Sequence, residues 1–330
     1  MSVPRSGKQY RIAASGYVAE IASVGASLRT LTFDGRDLVV PFDADEVRPA
    51  YRGATLAPWP NRIVDGAYSF AGATHQLPLT EPERHQALHG LVVWSDFTER
   101  VVEDDRVVLA TTIVPQAGYP FAVEVEVEYR VDEHGLTQRV TGRNVGSDAA
   151  PWGAGPHPYL VAGPSIPTPP SNRRFAPAGA SAERGPRSGT QKVDDWTLLL
   201  PAAEVLTVTD DRLSPIALEP VDAHPQWDFR VARPIGDTFI DHAFTALEGA
   251  DGHVSVELHA SEGGVAITWD EGCPWVQVHT ADTPAVPATH RLGLAVEPMT
   301  CPPDAFNSGT DLVVLQPGAE HAVSWRIHAL

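Results

Sequence analysis

A strict alternation of apolar and charged residues between Phe121 and Val131 constrains the fold more than any other feature of this 330-residue chain. Val or Tyr occupies each odd position from 123 to 131, and Glu or Arg occupies each even position from 124 to 130. Because successive side chains of a strand point to opposite faces, this pattern predicts a strand with one buried face. Further strand-like segments are residues 107–114, 254–259, 265–269, 275–280 and 321–327.

Turn-forming residues separate these segments at short intervals. The chain holds 30 Pro and 27 Gly, and helical periodicity is scarce. The dipeptides Asp34-Gly35, Asp65-Gly66 and Asp251-Gly252 predict tight turns, because both residue types tolerate positive φ. Many short strands spaced roughly 8–12 residues apart are typical of an all-β sandwich or barrel.

Residues 162–195 interrupt the strand-like pattern. They are rich in Pro, Gly, Ser and Arg and poor in large apolar residues. Because strand patterns continue on both sides, we expect a surface excursion with room for one short strand, rather than a linker between domains. The prediction is one domain over residues 1–330.

Composition excludes several classes of function. The net charge of −18 argues against binding to nucleic acid or to anionic membrane surfaces. The two cysteines, Cys273 and Cys301, fit neither a disulfide framework nor a cysteine zinc site. The N-terminus has no apolar segment of signal-peptide length, and no 18-residue apolar run occurs. We therefore predict a soluble cytoplasmic protein.

Glu297 stands out because it follows an apolar run, Leu292 to Val296, and precedes Pro298. A buried carboxylate is costly unless a partner or a reaction uses it. We expect Pro298 to end the strand, which would leave the carboxylate at the mouth of the strand as a candidate general base.

A rigid, proline-rich loop precedes Asn61 and Arg62. Arg offers a planar set of donors and Asn offers both a donor and an acceptor, which is the mixture that sugar hydroxyls need. The alternative is that Arg62 pairs with an acid and braces the loop.

Two histidines are further candidates. His89 precedes Gly90, which would let the backbone approach a ligand, although a buried structural His is an equal alternative. The spacing of His85 and His89 could suggest a metal pair, but Gly90 disfavours a helix and no third ligand follows, so we predict no metal site. His157 lies between two prolines, which hold its backbone rigidly, and an imidazole can transfer protons near neutral pH.

Two more segments carry polar side chains that could bind hydroxyls. Asp241 and His242 follow a turn, and capping that turn is their alternative role. Gln277 and His279 lie on one face of a predicted strand, where they could also be ordinary solvent-facing residues.

These segments, in this order, resemble the aldose 1-epimerase (mutarotase) family, also called galactose mutarotase-like. The resemblance runs from about residue 10 to the C-terminus. It rests on Asn61-Arg62-Ile63, Leu88-His89-Gly90, His157-Pro158-Tyr159, Asp241-His242-Ala243-Phe244, the strand of Gln277, and Glu297-Pro298 with Pro303-Asp304-Ala305-Phe306-Asn307. It implies a large antiparallel β-sandwich with few short helices.

The resemblance also implies roles. Glu297 would be the general base, His157 the general acid, and His89 would assist near the anomeric carbon. The hydroxyl-binding residues would be Asn61, Arg62, Asp241 and Gln277. The neighbours of the pocket would be Trp152, Tyr159 and Trp275. No cofactor is implied, and the partner is a free aldose that binds to a monomer or homodimer.

Two departures from the family pattern lie beside the expected pocket. Leu91 stands where a second glycine usually follows Leu-His-Gly, and Pro58 and Pro60 occur where the familiar galactose enzymes have no proline. These differences call galactose into question as the main substrate.

The implied reaction is the interconversion of α- and β-anomers through ring opening. It calls for an ionised Glu297 and a protonated His157, which we expect on opposite sides of the sugar. The alternatives are a hexose-6-phosphate 1-epimerase, with Arg48, Arg52 and Arg62 as its basic cluster, a non-catalytic carbohydrate-binding module, and a glycoside hydrolase. Asp241 would be the second carboxylate of a hydrolase.

Overall fold

The computed structural model describes residues 3–164, 192–283, 285–286 and 289–330. The first half of this part of the chain contains β1 Gln9–Ala14, β2 Tyr17–Ala22, β3 Ser27–Phe33, β4 Arg36–Asp37, β5 Thr55–Leu56, β6 Arg62–Val64, β7 Ala67–Phe70, β8 Ala73–Gln76, β9 Gln86–Leu88, β10 Thr98–Val102, β11 Arg106–Ile113, β12 Val123–Asp132, β13 Gly135–Asn144, β14 Ala150–Trp152, β15 Gly155–Pro156 and β16 Tyr159–Leu160.

The second half continues with β17 Thr197–Leu199, β18 Ala202–Val208, β19 Pro215–Pro220, β20 Arg233–Pro234, β21 Asp241–Leu247, β22 Val254–Ala260, β23 Gly263–Trp269, β24 Trp275–His279, β25 Leu294–Met299, α1 Ala305–Ser308, β26 Val313–Leu315 and β27 Glu320–Ala329. Short 3₁₀ turns lie at Pro49–Tyr51, Pro82–Arg84, Val193–Asp195, Val221–Ala223 and Pro225–Trp227. Most of the predicted excursion at residues 162–195 falls on residues 165–191, which lie outside the described residues.

The two largest sheets are antiparallel and share one core. The nine-stranded sheet has the order β10-β11-β12-β13-β27-β23-β22-β17-β20, and the six-stranded sheet has the order β16-β25-β24-β21-β18-β19. Apolar side chains of both sheets belong to one continuous buried cluster, which includes Trp269 and Trp325. The architecture is the all-β antiparallel sandwich that the alternation and the resemblance predicted.

The alternating strand behaves as predicted. In β12 the odd positions from 123 to 131 are fully buried and the even positions are partly or fully exposed. The other predicted strands are also confirmed, with ends that differ by two residues at most. These strands form because the apolar face of each one packs against a second layer of the fold.

The three predicted turns are present, although they serve different connections. Asp34-Gly35 joins the paired strands β3 and β4, and Asp251-Gly252 closes a turn in which Ala250 and His253 exchange backbone hydrogen bonds. All four turn residues have positive φ, as tight hairpin turns require. Asp65-Gly66 links β6 and β7, which pair with β9 and β8 respectively, so that turn is not a hairpin.

One face of the six-stranded sheet is mainly apolar, and the other, here called the polar face, carries a patch of polar side chains. Directly opposite residues of neighbouring strands share a face, and the register pairs Gln277 with Glu297 and Asp241 with His279. These four polar side chains therefore share one face, whereas Val276, Val278, Val296 and Phe244 point into the core from the other.

Pro298 does not end its strand, so that expectation was wrong. β25 continues to Met299, and Pro298 pairs with Val276 of β24. β16 pairs with Leu294 and Ala295, and beyond Ala295 β24 is the one described strand that pairs with β25, which can therefore accommodate a proline there. Glu297 consequently lies within a buried strand and not at its mouth.

Close packing requires a glycine where β13 passes β14. A Cβ on Gly142 would lie 2.3 Å from the ring of Trp152. This contact explains why Trp152 is 1% exposed in the core. No helix in the described ranges is both long and apolar enough to cross a bilayer.

Candidate active site

A cavity of about 250 Å³ opens on the polar face of the six-stranded sheet. It contains all eight residues that the sequence predicted for the site. Its walls are formed by Ala50, Tyr51, Asn61, Arg62, Glu81, Arg84, Leu88, His89, His157, Tyr159, Asp241, Gln277, His279, Asp282 and Glu297.

The floor of the cavity is the polar patch of β21, β24 and β25. Gln277 donates a hydrogen bond of 2.7 Å from Nε2 to Oδ1 of Asp241, and its Oε1 has no partner among the described residues. His279 places Nδ1 3.8 Å from Oδ2 of Asp241. Although burial alone would raise the pKa of Asp241, its electrostatic interactions with His279 and Arg62 lower it. Asp241 is therefore an ionised acceptor for hydroxyl groups.

Backbone pairing of β6 with β9 brings Asn61 next to His89. The amide of His89 donates to the carbonyl of Asn61 at 2.8 Å, and both residues have positive φ, 63° and 54°. Positive φ is uncommon outside glycine and concentrates at functional sites. A close backbone contact requires a glycine at position 90, because a Cβ there would lie 2.1 Å from the carbonyl oxygen of Ala57.

His157 is held by its backbone, as its proline neighbours predicted. Its amide donates to Ala54 at 3.0 Å and its carbonyl accepts from Gly53 at 2.7 Å. Its ring stacks on Tyr159, with ring centroids 5.2 Å apart, and meets His89 edge-on at 4.9 Å. The imidazole therefore has a fixed orientation at the cavity wall.

His157 and Glu297 lie side by side. Nε2 of His157 is 3.4 Å from Oε1 of Glu297, and the two side chains are 6% and 2% exposed. This distance leaves no room for a sugar between them, so the expectation of groups on opposite sides was wrong. Adjacent groups suit chemistry at two oxygens that are bonded to one carbon. Oε2 of Glu297 has no hydrogen-bond partner among the described residues.

Burial works against the charges that the sequence analysis assigned to this pair. It raises the pKa of Glu297 well above its ordinary value and lowers the pKa of His157 to about 3. Both effects favour a neutral carboxyl beside a neutral imidazole. The neutral pair and the ion pair nevertheless hold the same single proton, so they differ only in where that proton sits.

Nearby charges act on this pair in both directions. After burial, the negative charge of Asp241 raises the pKa of Glu297 further, and the positive charge of Arg62 lowers it. The charge of Asp241 also raises the pKa of His157. Arg62 therefore favours an ionised Glu297, whereas Asp241 favours retention of a proton by either member of the pair.

Arg62 does pair with an acid, as the alternative proposed, and it lines the cavity as well. Its Nε and Nη2 donate to the two carboxylate oxygens of Glu81 at 2.7 and 3.1 Å. Strand β6 is held against the start of α1 by Asp304. The amide of Asp304 donates to the carbonyl of Arg62, and its side chain accepts from the amide of Val64.

Three residues that the sequence placed near the pocket lie elsewhere. Trp152 is in the core, and Trp275 donates from its indole to Asp311. His242 points to the opposite sheet face from Asp241, where its ring contacts Trp227 at 3.9 Å between centroids. For His242 this follows from strand alternation, because a neighbour in sequence points to the other face.

Glu81, Arg84 and Asp282 also line the cavity, although no sequence motif singled them out. Glu81 could have been sought as the acid that Arg62 needs, but nothing in the sequence distinguishes it from the 41 other acidic residues. Asp282 is fixed by Arg291, whose Nη1 donates to it at 2.9 Å.

Within the described ranges, one group of side chains could ligate a metal ion, and it is the same buried trio. His89, His157 and Glu297 offer ligand atoms within 4.8 Å of one another. Burial and neighbouring positive groups lower the pKa of His89 well below its ordinary value, so this ring is neutral.

Comparisons with known proteins identify relatives of this chain. A model of the aldose 1-epimerase family matches residues 8–170 and 186–328. The uncharacterized protein YihR of Escherichia coli (strain K12) is 34% identical over 324 residues, which cover 98% of this chain and 94% of YihR.

Solved structures of low sequence identity share the fold. A GalM/aldose epimerase homologue from C. elegans has a TM-score of 0.78 at 18% identity and covers 98% of this chain and 99% of its own. Galactose 1-epimerase from Lactobacillus acidophilus NCFM has a TM-score of 0.72 at 18% identity, with 96% and 92% covered. The family model and the similarity to YihR together show that the chain belongs to the aldose 1-epimerase family.

Proposed function

We propose that this protein is an aldose 1-epimerase that interconverts the α- and β-anomers of a free aldose. The observation that carries the proposal is the contact between His157 and Glu297, two buried proton-transfer groups 3.4 Å apart in a polar cavity. Donors and acceptors that suit hydroxyl groups surround the pair. A cavity of about 250 Å³ suits one sugar ring better than an oligosaccharide.

In the proposed mechanism the pair acts on the two oxygens of the anomeric carbon. Glu297 removes the proton of the C1 hydroxyl, the bond from C1 to the ring oxygen breaks, and His157 gives its proton to that oxygen. The product is the open-chain aldehyde beside a neutral pair. Rotation about C1–C2 and closure on the other face return both protons. The neutral pair that burial favours is therefore the one that accompanies the open-chain sugar.

The other residues take binding roles in this proposal. Asp241 and Gln277 hold hydroxyls from the sheet, and Asn61 and Arg62 hold them from the loop. His89 contacts the ring of His157 edge-on, and being neutral it can accept or donate one hydrogen bond near the anomeric carbon.

The activity should stay near its maximum over a broad pH range. The active pair holds one proton. Burial opposes a second proton at low pH, because it lowers the pKa of His157 to about 3, and opposes loss of the proton at high pH, because it raises the pKa of Glu297. We expect kcat/KM, corrected for buffer catalysis, to be nearly flat between about pH 5 and pH 7. A steep fall as the pH rises through about 6.5 would show that His157 titrates as an ordinary imidazole.

Free aldoses should be better substrates than their 6-phosphates. Four carboxyl groups and only two guanidinium groups line the cavity, and a phosphate dianion needs the reverse balance. The predicted basic cluster does not form: Arg48 lies outside the cavity and donates to backbone carbonyls of Val24 and Val93, and Arg52 donates to Pro41. Polarimetry should give a higher kcat/KM for D-glucose than for D-glucose 6-phosphate, and the opposite order would favour the phosphate-specific alternative.

The experiment that tests the proposed activity is polarimetry on a panel of freshly dissolved aldoses, such as D-glucose, D-galactose, D-xylose and L-arabinose. We expect the protein to accelerate the approach to anomeric equilibrium for at least one of them. Sugar binding without acceleration of any would instead support a carbohydrate-binding module.

A further inference from the structure

Glu81 is a buried carboxylate that the proposed reaction does not use. It is 7% exposed and lines the cavity just before the 3₁₀ turn Pro82–Arg84. Its backbone exchanges two hydrogen bonds with Gln86, at 3.1 and 3.2 Å, so its position is fixed. A charge held this rigidly out of water needs partners that repay its desolvation.

Two arginines supply those partners. Arg62 donates to both carboxylate oxygens in a bidentate arrangement, and Nη1 of Arg84 donates to Oε1 at 2.8 Å. The side chain of Arg62 is 11% exposed, whereas that of Arg84 is 35% exposed. The pair with Arg62 is therefore the buried one, and bidentate pairing fixes the plane of a guanidinium as well as its distance.

This pairing leaves a defined set of donors for a ligand. Glu81 occupies Nε and Nη2 of Arg62, and Nη1 of Arg62 makes no hydrogen bond to any described residue. Because the guanidinium is planar, fixing one edge of it fixes the free edge too. An unconstrained arginine could instead rotate toward Asp241 or Glu297, whose charges attract it.

We propose that Glu81 is a positioning residue of the sugar site: it fixes the Arg62 guanidinium so that its free edge meets the sugar, and it offsets the positive charge of Arg62 beside the acid–base pair. This inference rests on the proposed function and adds a residue to it. Glu81 itself needs no contact with the reacting atoms.

The proposal has two measurable consequences. Without the carboxylate, Arg62 loses its fixed orientation, so sugar binding weakens and KM rises. The site also becomes more positive, and a positive potential lowers the pKa of every nearby group, whichever member of the pair holds the proton. Both limbs of the pH profile of kcat/KM should therefore move to lower pH.

The test compares Glu81→Gln with Glu83→Gln. Glu83 lies two residues away on the same turn and is exposed, so its replacement removes the same charge from the same loop. For Glu81→Gln we expect KM to rise about tenfold and both pH limbs to move to lower pH, with neither change in Glu83→Gln. Unchanged KM and limbs in a folded Glu81→Gln protein would overturn the proposal, as would equal shifts in both variants.

A second variant separates geometry from charge. Glu81→Asp keeps the charge but is one methylene shorter, so KM should rise while the limbs stay in place. If Glu81→Gln does not fold, Glu81→Asp becomes the test of the proposal. An unchanged KM in Glu81→Asp would then contradict it. In an Arg62→Gln background, Glu81→Gln should no longer raise KM, whereas a merely structural effect of Glu81 on KM would persist.

Equilibrium binding distinguishes failure of this proposal from failure of the proposed function. Saturation-transfer NMR with D-glucose and D-galactose needs no turnover. If the wild-type protein accelerates no sugar, the proposed activity fails, and weaker binding by Glu81→Gln than by Glu83→Gln still supports the positioning role. Equal binding by the two variants contradicts it.

Discussion

Replacing Glu297 with Gln should reduce the rate of anomer interconversion by about 10³-fold or more, because the amide cannot accept the proton of the C1 hydroxyl. The side chain keeps its shape, so the sugar should still bind. The measurement is polarimetry of a freshly dissolved aldose at equal protein concentrations, with the sugar affinity determined separately.

The same substitution should not destabilise the protein. Glu297 is 2% exposed and its Oε2 has no partner among the described residues, so the native carboxylate is held at a cost in folding free energy. A neutral amide lowers that cost, and stability is commonly sacrificed at sites selected for function. We expect a melting temperature equal to or above that of the wild type. A lower melting temperature together with retained activity would identify Glu297 as a structural residue.

Replacing His157 with Asn should lower the rate by about 10²–10⁴-fold, because ring opening then lacks a positioned acid for the ring oxygen. His242→Asn is the matched control. His157 and His242 are each 5% exposed, burial lowers the pKa of both, and His242 faces away from the cavity. We expect His242→Asn to leave the rate nearly unchanged. An unaltered rate in His157→Asn would move the acid role to His89.

The sequence predicted the fold where a local pattern determines it. The alternation at residues 123–131 predicted both the strand β12 and its buried face, because one side of that strand meets a second layer. The family motifs predicted which eight residues share the cavity. Their meeting depends on strand register, which pairs Gln277 with Glu297 and places Asn61 beside His89.

What the sequence could not predict depends on three-dimensional neighbours. Pro298 lies inside its strand because the adjacent strand β16 stops short of it, which no local signal reveals. The contact that requires a glycine at position 90 is with the backbone of Ala57, which is distant in sequence. Glu81 lines the cavity because the fold brings it next to Arg62, which lies 19 positions earlier in the sequence.

The protonation of the pair was the most consequential difference. From the sequence, an ionised Glu297 and a protonated His157 followed from their ordinary pKa values. In the structure, burial reverses both tendencies, and the contact between the two residues makes them a unit that holds one proton. Catalysis in the proposed mechanism is the transfer of a proton within this pair by way of the two sugar oxygens, and the positive charge of Arg62 helps to ionise Glu297.

The most direct measurement is magnetisation transfer between the α and β anomeric protons of an aldose at equilibrium, with wild-type protein and with Glu297→Gln. The sugar is one that the panel identifies as a substrate. The proposed mechanism predicts exchange that increases in proportion to wild-type concentration and returns to the uncatalysed rate with Glu297→Gln. Equal exchange with the two proteins would contradict the assignment of Glu297 and His157 as the proton-transfer pair.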